Sequence, residues 1–150
     1  MIEKQELFEV MNRAEAVNLA TADGAVPRIR ALVNLRRRDL YPGPARFCQA
    51  EGFTVYLATS AASDKARELR ANPQASVYYC EPGRFHGLTL TGPVEILADP
   101  ELKKTLWDES WRIYWPSGAE DPDYVILRMR PLEASGWWGT RPFQASPGVP

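Results

Sequence analysis

The stretch "YLATSAASDKARELRANP" (Tyr56 to Pro73) decides the fold, because a strand and an amphipathic helix meet in it with little chain between them. Phe53, Val55 and Leu57 lead on one face into Thr59. Ser63 stands where a helix N-cap is expected and Asp64 follows in the first turn. The helix is predicted over 64–71, with Ala66 and Leu69 on its buried side and Pro73 beyond its end. Thr59, Ser60, Ser63 and Lys65 are thereby gathered into one joint. Hydroxyls, first-turn amides and an ammonium in a small volume suit an anion, since a helix N-terminus favours negative charge and the lysine adds a full positive one. A plain capped connection with a lysine facing solvent uses the same residues, so the joint alone leaves both readings open.

Upstream, "VPRIRALVNL" (26–35) alternates, with Ile29, Ala31, Val33 and Leu35 on one side and Arg28, Arg30, Leu32 and Asn34 on the other. It follows the strand "AVNLATAD" (16–23) and the turn Asp23-Gly24, a hairpin signal. Two arginines in an otherwise apolar strand are costly unless their face meets water, a partner or an anion. If this strand lies beside the one ending at Thr59, Arg30 and Lys65 reach the same anion. An edge open to solvent explains Arg28 and Arg30 equally well.

The remaining elements follow from periodicity. A helix is predicted over 2–13 through Leu7, Val10, Met11 and Ala14, and further strands over 53–59, 75–81, 86–97 and 124–130. Asp99-Pro100 starts a helix running to about Ile113. "RRRDLYPGPARFCQAEG" (36–52) reads as a long surface loop, either solvated or lending Arg36, Arg37, Arg38 and Tyr41 to a pocket. The tail "ASGWWGTRPFQASPGVP" reads as irregular and flexible over about 140–150. Six strands with helices inserted rather than alternating point to a small antiparallel barrel in one domain spanning 1–150.

Composition narrows the function. A hydrophobic content of 45% over 150 residues supports one packed core and excludes global disorder. A net charge of −1 speaks against a nucleic-acid partner held by bulk charge. No apolar run approaches the roughly 20 residues of a membrane span, and "MIEKQELFEV" lacks a signal-peptide core, so a cytoplasmic protein without a membrane partner is expected. Cys48 and Cys80 have neither disulfide-like nor zinc-like spacing. The sequence has no GxGxxG, GxxxxGK[ST], HExxH or GxSxG. His86, the single histidine, has no evident nucleophile beside it and reads as structural or pocket-lining.

The order of the Asp-Gly turn, "PRIRALVN", "VYLATSAASDKARELRANPQASVYY" and "LTLTGPVEIL" resembles the FMN-binding split-barrel family of pyridoxamine 5'-phosphate oxidase. The segment "DPELKKTLWDESWRIYWPSGAEDPDYVILRMRPLEASGWW" is similar to its general-stress-protein branch, and the resemblance covers about residues 5–138. It implies a mainly β fold with flanking helices (α+β), a six-stranded antiparallel split β-barrel, and a homodimer with FMN at the interface. Carried residue by residue, it implies that Arg30, with Arg28 beside it, reaches the flavin phosphate. Ala31, Leu32, Val33 and Asn34 would run along the ring; Thr59, Ser60, Ser63 and Lys65 would hold the phosphate; Trp137 or Trp138 would cover the ring from the partner subunit. The abundance of aromatic residues, Trp107, Trp111, Tyr114 and Trp115 included, also fits an interface.

The departures bear on activity. Asp64 stands where the oxidases carry an arginine before the phosphate lysine, His86 or Gly87 replaces a glutamine, and the C-terminal Arg-x-His-x-Arg pattern is reduced to Arg141. The reading is an FMN-dependent oxidoreductase acting on an unidentified small molecule, with no catalytic side chain assigned and not a true pyridoxamine phosphate oxidase. A flavin-binding stress protein without turnover, the same barrel with deazaflavin or haem, and a ligand-free interaction module remain as alternatives.

Overall fold

The computed structural model describes residues 2–148. In chain order the regular elements are α1 (Lys4–Arg13), β1 (Ala16–Asp23), β2 (Val26–Val33), α2 (Pro42–Ala50), β3 (Val55–Ser60), α3 (Asp64–Ala71), β4 (Gln74–Glu81), β5 (His86–Leu97), α4 (Pro100–Thr105), β6 (Tyr124–Met129), β7 (Glu133–Trp138) and β8 (Arg141–Ala145). All strand pairings are antiparallel. The path β2-β1-β4-β5-β6-β3 contains the six strands expected from the sequence, and the β7–β8 hairpin joins it at β5. The fold is the expected split barrel.

One strand makes the split. The first part of β5 pairs with β4 and with β7, and its last four residues, Val94 to Leu97, pair with β6. The change of partner falls at Gly92-Pro93, where a proline ring cannot donate to a ladder. The main core lies inside the curl, built from Leu19, Val77, Leu88, Leu90 and Leu127 with Val10 and Met11 of α1 above them. On the other side of β3 and β6 lies a second core around Tyr124, Tyr56 and Ile126, closed by Leu106, Trp111 and Trp115. Burial on both faces explains why "YVIL" in β6 is a continuous apolar run rather than an alternating one.

Four expectations are corrected here. The supposed loop 36–52 contains α2: Pro42 and Pro44 sit in its first turn, where a missing N–H costs nothing, and Ala45 and Cys48 are buried. Arg36 there is buried, donating to Asn12 Oδ1 (2.8 Å) and to the carbonyls of Cys48 (3.0 Å) and Gly52 (2.8 Å). Arg37 pairs with Asp39 and Arg38 with Gln49, so the run ties the excursion to the body rather than lining a pocket. The helix predicted to Ile113 ends at Thr105 and resumes as a 3₁₀ turn over Glu109–Ile113, which Asp108 caps through Ser110 N.

The tail is strand rather than irregular, and β8 falls inside the segment expected to be flexible; residues 149 and 150 of that segment lie outside the described residues. Finally, Trp107, Trp111 and Trp115 pack on Tyr124 within the chain, with ring centroids 5.1, 6.2 and 5.0 Å from it. They therefore do not testify to an interface; Tyr114, 70% exposed, is the outlier of that group.

Gly136 marks a close approach of neighbouring backbone in the sheet. A Cβ there would run into the Gly87 carbonyl oxygen and the Phe143 ring. Gly136→Ala is expected to destabilise by about 1–3 kcal/mol, as overpacking does. Gly43, in α2 with open space around it, is the control: Gly43→Ala should stabilise by about 0.5–1 kcal/mol. Thermal unfolding of the two variants checks both signs.

Candidate phosphate-binding site

The ends of the six-strand path, β2 and β3, are not hydrogen-bonded to each other. The expectation that Arg30 and Lys65 meet through neighbouring strands is corrected in its route: β2 pairs with β1, and α3, which follows β3, faces β2 across the opening. There a hollow of about 360 Å³ is lined by Arg28, Arg30, Asp64, Lys65, Arg67 and Glu68. It brings together the arginines of β2 and the lysine of the joint.

Each side chain is held by a local cause. Ser63 caps α3, its Oγ accepting from Ala66 N at 3.3 Å. Lys65, half-buried in the first turn, donates from Nζ to Thr59 Oγ1 at 2.9 Å. Burial pushes its pKa down, and the charge of Arg30 pushes the same way. On β2, Arg30 and Leu32 turn inward, while Ile29 (72% exposed), Ala31 and Val33 face outward. Arg30 donates to Thr21 Oγ1 (2.7 Å) and pairs with Glu68 Oε1 (2.8 Å). Arg28 pairs with Asp23 at 3.0 Å, and Arg67 reaches Asp23 at 3.6 Å. Lys65 is the one cation of the hollow in no ion pair among the described residues.

Other expected site residues are placed elsewhere or otherwise engaged. Ser60 Oγ accepts from the Trp115 indole at 3.1 Å and so belongs to the second core. Asn34 is corrected outright: it lies past the end of β2, buried, its amide donating to the carbonyls of Met11 (2.7 Å) and Ala14 (2.8 Å). Those bonds satisfy the C-terminal carbonyls of α1 and its exit, a structural duty. Leu32 packs against the main core. Trp138 stacks on His86 with centroids 3.8 Å apart and planes 7° apart, and meets Phe143 edge-on. Trp137 is 48% exposed.

Trp137 stands on the outer face of the sheet. There Ala31, Asn18, Tyr78, Thr89 and Ser135 form one row in register, and the Tyr78 ring lies over Gly87, the partner of Trp137. The sequence reading missed Glu68 altogether. Its signal was faint: position 68 lies between the buried Ala66 and Leu69, on the helix side that faces the sheet.

The cations suit a phosphate monoester. An unpaired ammonium, guanidinium groups and the start of an eight-residue helix border one opening, with the carboxylates of Asp64 and Glu68 on the same wall.

The match to known proteins runs along nearly the whole chain. General stress protein 26 of Bacillus subtilis (strain 168) is 27% identical over 131 residues, covering 85% of this chain and 83% of that protein. In fold, the chain is similar to a protein related to general stress protein 26, of the pyridoxinephosphate oxidase family, from Clostridium acetobutylicum. That likeness has a TM-score of 0.75 at 24% identity, covering 97% of this chain and 96% of the other. It is likewise similar to a general stress FMN/FAD binding protein from Xanthomonas citri, with a TM-score of 0.70 at 16% identity over 98% and 94% of the chains. The family described as pyridoxamine 5'-phosphate oxidase matches residues 3–138, from α1 to the end of β7, and the chain belongs to that family.

Proposed function

We propose that this chain is a cytoplasmic flavoprotein that holds FMN by its phosphate in the β2–α3 hollow, as a homodimer, and serves as an oxidoreductase for a small molecule. The observation that carries the reading is Lys65, a half-buried lysine without a carboxylate partner beside a second cation. Such a lysine is disfavoured until an anion joins it. Family membership and the flavin bound by the Xanthomonas citri protein supply the ligand class.

When bound, the flavin supplies the redox chemistry, and the chain supplies anchoring and orientation. Lys65 and Arg30 neutralise the phosphate, with Thr59 and Ser63 beside them. Ala31 and Val33, outward on β2, offer small apolar surface to a ring. Trp137 is separated from β2 by four strand spacings, roughly 19 Å of sheet, and lies on the face opposite to Arg30. A second copy, rather than the same chain, therefore brings Trp137 to a ring anchored at the hollow. Two free thiols suit a reducing compartment. Asp64, exposed at the rim, and Arg141, alone after the tryptophans, leave pyridoxamine phosphate without its arginine contacts, so it is not the substrate.

The test is ligand binding to the purified protein. Its visible spectrum should show flavin bands, and a Soret band or an FMN affinity no better than that of riboflavin would overturn the reading. Lys65→Ala should cost about 1.5–3 kcal/mol of FMN affinity, roughly ten- to a hundredfold, and leave riboflavin unmoved.

A pH titration of the same two ligands carries a defined sign. Lys65 in the free protein lies below the ordinary lysine range, and a phosphate beside it raises its pKa again. As pH rises through the free-state value, binding must take up a proton. The ratio of FMN to riboflavin affinity should therefore fall on the alkaline side, and Lys65→Ala should abolish that fall.

Light scattering at micromolar concentration should give a dimer, about twice the chain mass of 16.9 kDa. A monomer that still binds FMN at full affinity would remove the shared site.

A further inference from the structure

Glu68 is the most costly polar residue beside the hollow. Its side chain is 2% exposed in α3, at a position where an apolar residue would pack without desolvation. Its Oε1 accepts from the Thr21 hydroxyl at 2.7 Å and from Arg30 Nη2 at 2.8 Å. Arg30 Nη1 in turn donates to Thr21 Oγ1 at 2.7 Å, which closes a ring of three side chains from β1, β2 and α3. The other carboxylate oxygen lies 3.6 Å from Arg67 Nη2. Nothing in the packing of α3 on the sheet calls for a carboxylate, since Ala66 and Leu69 already bury that face.

The ring has a directional consequence. An arginine on an edge strand has several rotatable bonds and, left to itself, extends into water. Two hydrogen bonds to Thr21 and Glu68 fix its guanidinium plane instead at the wall of the hollow that faces Lys65. A carboxylate so near an anion site also weakens its attraction, so its presence is useful only if orientation outweighs charge.

We propose that Glu68 is a positioning residue, which with Thr21 locks Arg30 in the direction that lets it and Lys65 face one phosphate. The proposal rests on the FMN reading of the hollow. It makes Glu68 act on the phosphate through Arg30, which the Arg30→Ala background separates from its longer contact with Arg67.

The test is a double-mutant cycle read as FMN and riboflavin affinities from flavin fluorescence quenching. Glu68→Ala should weaken FMN roughly tenfold, the loss of one well-made charged contact, and leave riboflavin unchanged. Glu68→Gln should retain most FMN affinity, because its amide oxygen still accepts from Arg30 and Thr21. In the Arg30→Ala background, Glu68→Ala should cause no further loss. Equal losses in both backgrounds, or in both ligands, would make Glu68 a structural residue and overturn the proposal. So would tighter FMN binding by Glu68→Ala, which would make it an electrostatic brake. Arg30→Ala and Lys65→Ala both without effect on FMN would overturn the phosphate reading itself, whereas a silent Arg30→Ala beside a damaging Lys65→Ala, or loss with Arg30→Ala but not with Glu68→Ala, overturns only the role of Glu68. Should Glu68→Ala not fold, Thr21→Val breaks the same ring: a severalfold FMN loss, absent in the Arg30→Ala background, is expected, and no loss refutes the lock.

Discussion

The arrangement depends on one strand serving two partners along the same edge. β5 gives its first residues to β7 and its last to β6, and the chain between β6 and β7 must cross at the change of partner. It does so over Gly92, where a Cβ would stand 3.1 Å from the Arg130 carbonyl oxygen, and Leu132 N then donates to Thr91 O at 2.9 Å. A glycine and a proline at this point let the ladder stop and start again. With β6 turned away and β3 beyond it, β3 cannot close onto β2. The opening that results is filled from α3, and that is why charged side chains from β2 and α3 can meet at a place a closed barrel would have filled with leucine and valine.

The hollow is electrostatically unbalanced in a particular way. Four cations line it, yet three of them already have carboxylates: Arg28 and Arg67 share Asp23, Arg30 has Glu68, and Arg67 also lies 3.7 Å from Asp64 and 3.6 Å from Glu68. The Asp23 pairs are exposed, and pairs of that kind contribute little and exchange readily. The Arg30–Glu68 pair is of a different kind, because one member is buried and would be left uncompensated if its partner moved away. Around the hollow the structure thus sets a fixed guanidinium, an unpaired ammonium and two rim arginines in exposed pairs. Burial and the charge of Arg30 both push the Lys65 pKa down.

Much of this was legible in the sequence, and the failures share a cause. The six path strands were found because each buries one face or both, and period two or a continuous apolar run records that fact. The cap at Ser63 and the turn at Gly24, with φ 59°, were legible because their chemistry is local. α2 was missed because prolines were read as breakers when they stood in a first turn. The tail was missed for its glycines, of which Gly136 exists for a close approach and Gly139, with φ 67°, for a hairpin turn. Trp107, Trp111 and Trp115 were read as fitting an interface because nothing local records that Tyr124 gathers them across a break in the helix. Asn34 and Glu68 were out of reach for a deeper reason: their partners lie 20 to 47 residues away, and nothing in their own neighbourhood records those bonds.

The adjacent tryptophans show how a short sequence can carry two assignments at once. Neighbouring residues of a strand point to opposite faces, so Trp137 and Trp138 cannot do the same work. Trp138 goes inward, where stacking on His86 and the edge-on contact with Phe143 fasten β5, β7 and β8 together at one end. That stack occupies one face of the single histidine and gives it a packing role at the strand start. Trp137 is then forced outward, onto a face whose central row is alanine, asparagine, tyrosine, threonine and serine. Exposed Ile29, Val33 and Trp137 stand at the margins of that face, and Tyr78 at its centre. The same alternation that buries one indole for stability therefore leaves the other on the open face, and neither could be moved by one position without losing both.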